Sequence, residues 1–67
     1  MEHWLVYRVM SYPDMSDVEK LIGVFDSMSQ ANRFAKEQER SIHSYKIHHI
    51  TVNGDGRVLT DRVVWSN

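Results

Sequence analysis

Residues 27–40, SMSQANRFAKEQER, decide the fold of this 67-residue chain. Ser27 is placed to cap a helix, its hydroxyl accepting an otherwise unpaired backbone N–H three residues on. Gln30 stands where its side chain can reach back and complete an S-x-x-Q capping box. Ala31, Phe34, Ala35 and Gln38 then follow at i, i+3, i+4 and i+7, so a narrow apolar stripe points one way. The spacing predicts a helix from about Ser27 to Arg40. The flanking segments read as strand, and a sheet needs that stripe to close its core.

Upstream, residues 3–10 (HWLVYRVM) alternate with period two, which predicts a strand. Arg8 is unlikely material for a buried position without a partner, so Leu5, Tyr7 and Val9 are assigned toward the helix and Trp4 and Val6 to the opposite side. Residues 11–19 (SYPDMSDVE) hold the single proline and several turn formers, and read as a loop. Residues 20–25 (KLIGVF) predict a second strand, with Gly23 marking a bulge or a close backbone approach.

Downstream, residues 44–53 (SYKIHHITVN) carry Tyr45 and Ile47 on one parity and Ile50 and Val52 on the other. A β-bulge at His48–His49 would return all four to one face. Asn53-Gly54-Asp55-Gly56 is a hairpin signal in which either glycine can take positive φ. Residues 57–65 (RVLTDRVVW) form the last strand, with poor alternation. The order is ββαββ, and the expected architecture is an α+β domain over residues 1–67, one helix packed on a curved four-stranded antiparallel sheet. Its expected core is Leu5, Tyr7, Val9, Val24, Ala31, Phe34, Ala35, Ile47, Ile50 and Val52.

Composition narrows the function. A domain this short buries only about 60% of its unfolded surface, and the absence of cysteine removes disulfides and thiolate zinc sites as supports. Oligomerisation is the remaining common route to added burial. The formal net charge of −1 argues against a uniformly basic DNA binder and against an acidic DNA mimic. The charge is uneven, however: residues 1–26 sum to −3 and residues 27–67 to +2. With no long apolar run, and with Glu2 and His3 where a basic leader would start, the expectation is a cytoplasmic protein away from membranes.

No catalytic, metal or cofactor motif stands out. His3, His43, His48 and His49 lack ligand spacing, since adjacent residues of a strand point to opposite faces. Asp14 and Asp17 lack the glycine and terminal glutamate of a calcium loop. No serine lies in a G-x-S-x-G elbow, and Gly54 and Gly56 precede neither a lysine nor a helix. The expectation is a non-enzymatic protein without metal or cofactor.

Two groups of residues carry the binding hypotheses. Arg33, Lys36 and Arg40 lie on helix flanks away from Phe34, and Lys46, Arg57 and Arg62 belong to the C-terminal hairpin; such cations position phosphates or carboxylates. Trp4, Val6 and Trp65 are expected on the sheet face that one short helix leaves bare, where tryptophan favours protein interfaces.

The string S-x-S-Q-A-x-R-x-A, here Ser27, Ser29, Gln30, Ala31, Arg33 and Ala35, is followed by Lys36-Glu37-Gln38, by Ile50-x-Val52-Asn53-Gly54 and by Trp65 near the end. From Ser27 onward this resembles a family of small type I-F anti-CRISPR proteins, departing from it at Asn32, where lysine is usual, and in the acidic first loop. The resemblance implies a phage inhibitor, working in the host cytoplasm, that docks on a Cas surveillance complex and blocks target-DNA engagement. It points to Arg33, Lys36 and Gln38 as contacts. Two other readings stand beside it: a nucleic-acid-binding module using Lys46, Arg57 and Arg62, and a homo-oligomer, such as a homodimer, joined through Trp4 and Trp65.

Overall fold

The computed structural model describes residues 1–14, 17–38 and 43–67. The elements are β1 (Glu2–Ser11), β2 (Asp17–Phe25), α1 (Met28–Gln38), β3 (Ser44–Val52) and β4 (Val58–Ser66). All four strands form one antiparallel sheet in the order β2-β1-β3-β4, with the helix between β2 and β3. This is the expected ββαββ domain of the α+β class. Both strands extend into the stretch 11–19 that composition reads as loop, β1 to Ser11 and β2 from Asp17, and the Ser11 hydroxyl donates to Asp17 Oδ1 at 2.8 Å.

Local chemistry sets the helix start. The Gln30 N–H donates to Ser27 Oγ at 3.2 Å and the Ala31 N–H to the Ser27 carbonyl at 3.2 Å, so Ser27 is the N-cap. The helix lies over β2, β1 and β3, and its backbone stays more than 8 Å, Cα to Cα, from that of β4. Small side chains permit its close approach: Ala31 and Ala35 are fully buried against Val6 and Ile47. Trp4, Ile22, Phe25, Met28, Phe34 and Trp65 pack around that centre.

The face of β1 is the reverse of the sequence expectation. Val6 is buried, and Trp4 and Trp65 pack with it beneath the helix, so none of the three lies on the bare side. Leu5, Tyr7 and Val9 face away, in register with Val24, Leu21 and Glu19 of β2; Val24 is 56% exposed. The reason is Arg8. It sits half-buried on the helix side, in register with Lys20 and Tyr45. Its long stem covers apolar surface and even its Nε is buried without a hydrogen-bond partner, so an arginine does not veto that face.

β3 holds a second correction. Its register with β1 runs without interruption from Glu2↔Thr51 to Val9↔Ser44, so no bulge forms at His48–His49. Tyr45 and Ile47 face the helix, whereas Ile50 and Val52 share the other side with Leu5; Ile50 is nonetheless buried, as expected of a core residue. The irregularities lie between β3 and β4, at Ile47/His48 and at Thr51/Val52. Val64 and Leu59 are the extra residues there. They explain the poor alternation of β4, since Thr60, Arg62 and Trp65 share the helix side and Val58, Asp61 and Val63 the other.

The glycine signals resolve individually. Gly23 pairs with Val6 beside a register shift, and the Phe25–Phe34 ring pair, 5.1 Å between centroids, crowds it. A Cβ at Gly23 would stand 2.6 Å from the Phe25 ring and 3.2 Å from that of Phe34. In the β3–β4 hairpin only Gly56 takes positive φ, 89°, while Gly54 does not. Asn53 Oδ1 clamps that turn by accepting from the Asp55 and Arg57 N–H groups at 3.1 and 2.9 Å.

Candidate binding surfaces

Cross-strand partners share a face, so the register sorts the charged residues into two sets. On the helix side stand Arg8, Lys20 and Arg62 from the sheet and Arg33 and Lys36 from the helix, against Glu2 and Glu37. On the open side stand Asp17, Glu19 and Asp61 against Lys46. A chain with net charge −1 is therefore polarised across its thickness. The helix side is basic, and the open side is acidic.

Helix periodicity places the cations. Gln30, Phe34 and Glu37 share the flank toward β2, where with Phe25 and Arg33 they line a shallow depression of about 270 Å³. Asn32 and Lys36 share the other flank, toward β3, and with Ser29 and Arg33 line a second depression of about 340 Å³. Arg33 and Lys36 are exposed. Asn32 Oδ1 is buried without a hydrogen-bond partner, an acceptor left over beside two cations. Both depressions border exposed side chains, so they suit surface contact and not enclosure of a small molecule.

The helix side of β3 and β4 presents Thr51 and Thr60, whose hydroxyls lie 2.6 Å apart, and exposed Arg62 in register with His49. The His49 ring stacks on Trp4 with centroids 4.8 Å apart, and its Nε2 lies 3.2 Å from Glu2 Oε1.

The hairpin cations do not form one surface. Lys46 is on the open side, paired with Glu19 across β1 and 5.7 Å from the Tyr7 ring centroid. Arg57 is exposed at the hairpin end, its Nε 3.9 Å from Asp55 Oδ2. Arg62 alone of the three is on the helix side. Gln38 is half-buried at the end of α1, and Arg40 lies outside the described residues. Lys20 and Arg8 join the basic side without having been singled out from sequence. Only the strand register reveals them.

The open side holds one arrangement with catalytic overtones. His48 Nδ1 lies 2.7 Å from Asp61 Oδ1 across β3 and β4, and the ring meets Tyr7 at 4.8 Å. The remaining nitrogen, Nε2, is buried without a partner, so it cannot reach a substrate proton. The pair is a cross-strand clamp. Among the described residues no group of three or more His, Cys, Asp or Glu side chains is placed to hold a metal ion. No helix among them is long and apolar enough to cross a membrane.

No family model, curated protein or solved structure matches this chain.

Proposed function

We propose that this chain is a non-enzymatic binding protein whose helix side docks on an anionic macromolecular surface and blocks access to it. The observation that carries this reading is the segregation of Arg33, Lys36, Arg62, Lys20 and Arg8 on one side of a chain with net charge −1. Arg33 and Lys36 crown that side with exposed heads, which suits charge-assisted bonds to phosphate or carboxylate. The partner implied by the resemblance to type I-F anti-CRISPR proteins is a Cas surveillance complex, and the action is occlusion of its DNA-binding path.

The test is a pull-down of purified type I-F surveillance complex on immobilised protein, with target DNA added before or after. The proposal expects retention only when DNA is absent, and its loss in Arg33→Glu/Lys36→Glu at unchanged far-UV spectrum. Retention that survives this double variant overturns the assignment of the helix side. No retention overturns this partner. Capture of free DNA, weakening steeply with salt by counterion release, would replace the protein partner by nucleic acid.

A further inference from the structure

The helix closes one side of the sheet and leaves the other uncovered. That open side carries as rich an apolar set as the covered one. Leu5 and Tyr7 lie half-buried at its centre, with exposed Leu21 and Val24 on β2 and exposed Val63 on β4; Ile50, on the same side of β3, is already buried within the single chain. Val24 and Val63 are 56% and 52% exposed. His48 and Lys46 of β3 stand between Leu5 and Tyr7 and β4, and the exposed apolar side chains that flank them suit a docking surface. We propose that its occupant is a second copy of this chain, the two open sides stacking face to face into a sandwich with both helices outward.

Three observations select that occupant. The first is charge. Asp17, Glu19 and Asp61 repel a polyanion, and Lys46 of this side is already engaged with Glu19, while the His48 ring nitrogen lies against Asp61. Glu19 and Asp61 stand one pairing row beyond Tyr7 and Leu5, at opposite ends of the apolar centre. A twofold axis through that centre keeps the carboxylates at the rim, where water screens them.

The second is area. Strands of about nine residues at ~3.3 Å, four abreast at ~4.8 Å, give a footprint of about 570 Å². Two copies bury at least about 1,100 Å² between them, past the ~1,000 Å² that separates a specific interface from incidental contact. The third is the smallness of the covered core: among the described residues Val6, Ala31, Ala35 and Ile47 form its enclosed cluster, and Tyr45 is the one further buried side chain on that side. Small domains of this kind commonly gain burial by association. Stacking also places two basic helix sides on opposite outer surfaces, making the assembly bivalent. The inference stands independently of the proposed partner.

Sedimentation equilibrium over a concentration series tests it. The proposal expects the mass to rise from 7.9 kDa to twice that value and stop. Val24→Lys and Val63→Lys, each made alone at a site already exposed in the monomer, should raise the dissociation constant at least about tenfold with the far-UV spectrum unchanged. Val18→Lys, also exposed (43%) but in register with Met10 on the helix side, should leave it unchanged. A wild-type protein monomeric at every concentration overturns the proposal, as does growth beyond a dimer. A dimer indifferent to Val24→Lys and Val63→Lys, or lost with Val18→Lys, overturns it equally.

Discussion

The two sides of this sheet use similar apolar chemistry and meet different fates. On one, Val6 and Ile47 sit beneath Ala31 and Ala35, sealed by Trp4, Phe25, Phe34 and Trp65. On the other, Leu5, Tyr7 and Val24 have no covering layer. Apolar alternation on a strand therefore does not identify the inside. What identifies it is whether a facing element can come close, and here two alanines one helical turn apart permit that approach.

The largest expected effect comes from adjacent residues of β1. Val6→Asp places an unpaired carboxylate in the closed core and should cost more than about 3 kcal/mol, enough to unfold a domain of this size. Leu5→Asp, one position away on the open side, should cost about 1 kcal/mol. Urea denaturation of both variants checks the pair, and equal losses would break the distinction between the sides. Ile47→Ala should follow with a loss of about 3 kcal/mol, through lost transfer energy and the cavity left behind.

Gly23→Ala sharpens the comparison at a single Cβ. The new methyl points to the closed side, where the Phe25 ring would stand at 2.6 Å. The ring pair must shift, and thermal unfolding should report a loss of about 1–2 kcal/mol. Ser27→Ala removes the acceptor of the Gln30 N–H and should cost about 1 kcal/mol by the same measurement. Arg33→Glu/Lys36→Glu should change stability by less than about 0.5 kcal/mol, because both side chains are exposed on the outer face of the helix. That variant separates binding from folding.

Elements with strong local chemistry were legible in the sequence. Ser27 caps the helix, Asn53-Gly54-Asp55-Gly56 turns the last hairpin, and Gly23 marks a close approach. The element order and fold class follow from these. The strand faces did not follow, for identifiable reasons. β1 is apolar on both parities, and Arg8 tips the balance the wrong way unless its stem is allowed to lie along the core. In β3 the change of parity between Ile47 and Ile50 is a real change of face, so invoking a bulge there removed the true signal. The actual irregularities, at Leu59 and Val64, sit in β4.

The same distinction governs the candidate site. Arg33 and Lys36 could be placed on an exposed helix face because helical periodicity separates them from Ala31 and Ala35. Lys46, Arg57 and Arg62 could not be grouped from sequence, since one residue of register slip carries a side chain to the other side of the sheet. Trp4 and Trp65 were assigned to the bare side of the sheet, and the register of β1, β3 and β4 puts both on the helix side.

The most direct test of which side is closed exploits the absence of cysteine from the chain. Val6→Cys and Leu5→Cys are prepared separately, and the rate of thiol labelling is measured in dilute native protein. The account predicts rapid labelling at position 5 and labelling at position 6 more than about tenfold slower, limited by opening of the fold. Rapid labelling at position 6 with protection at position 5 would contradict it.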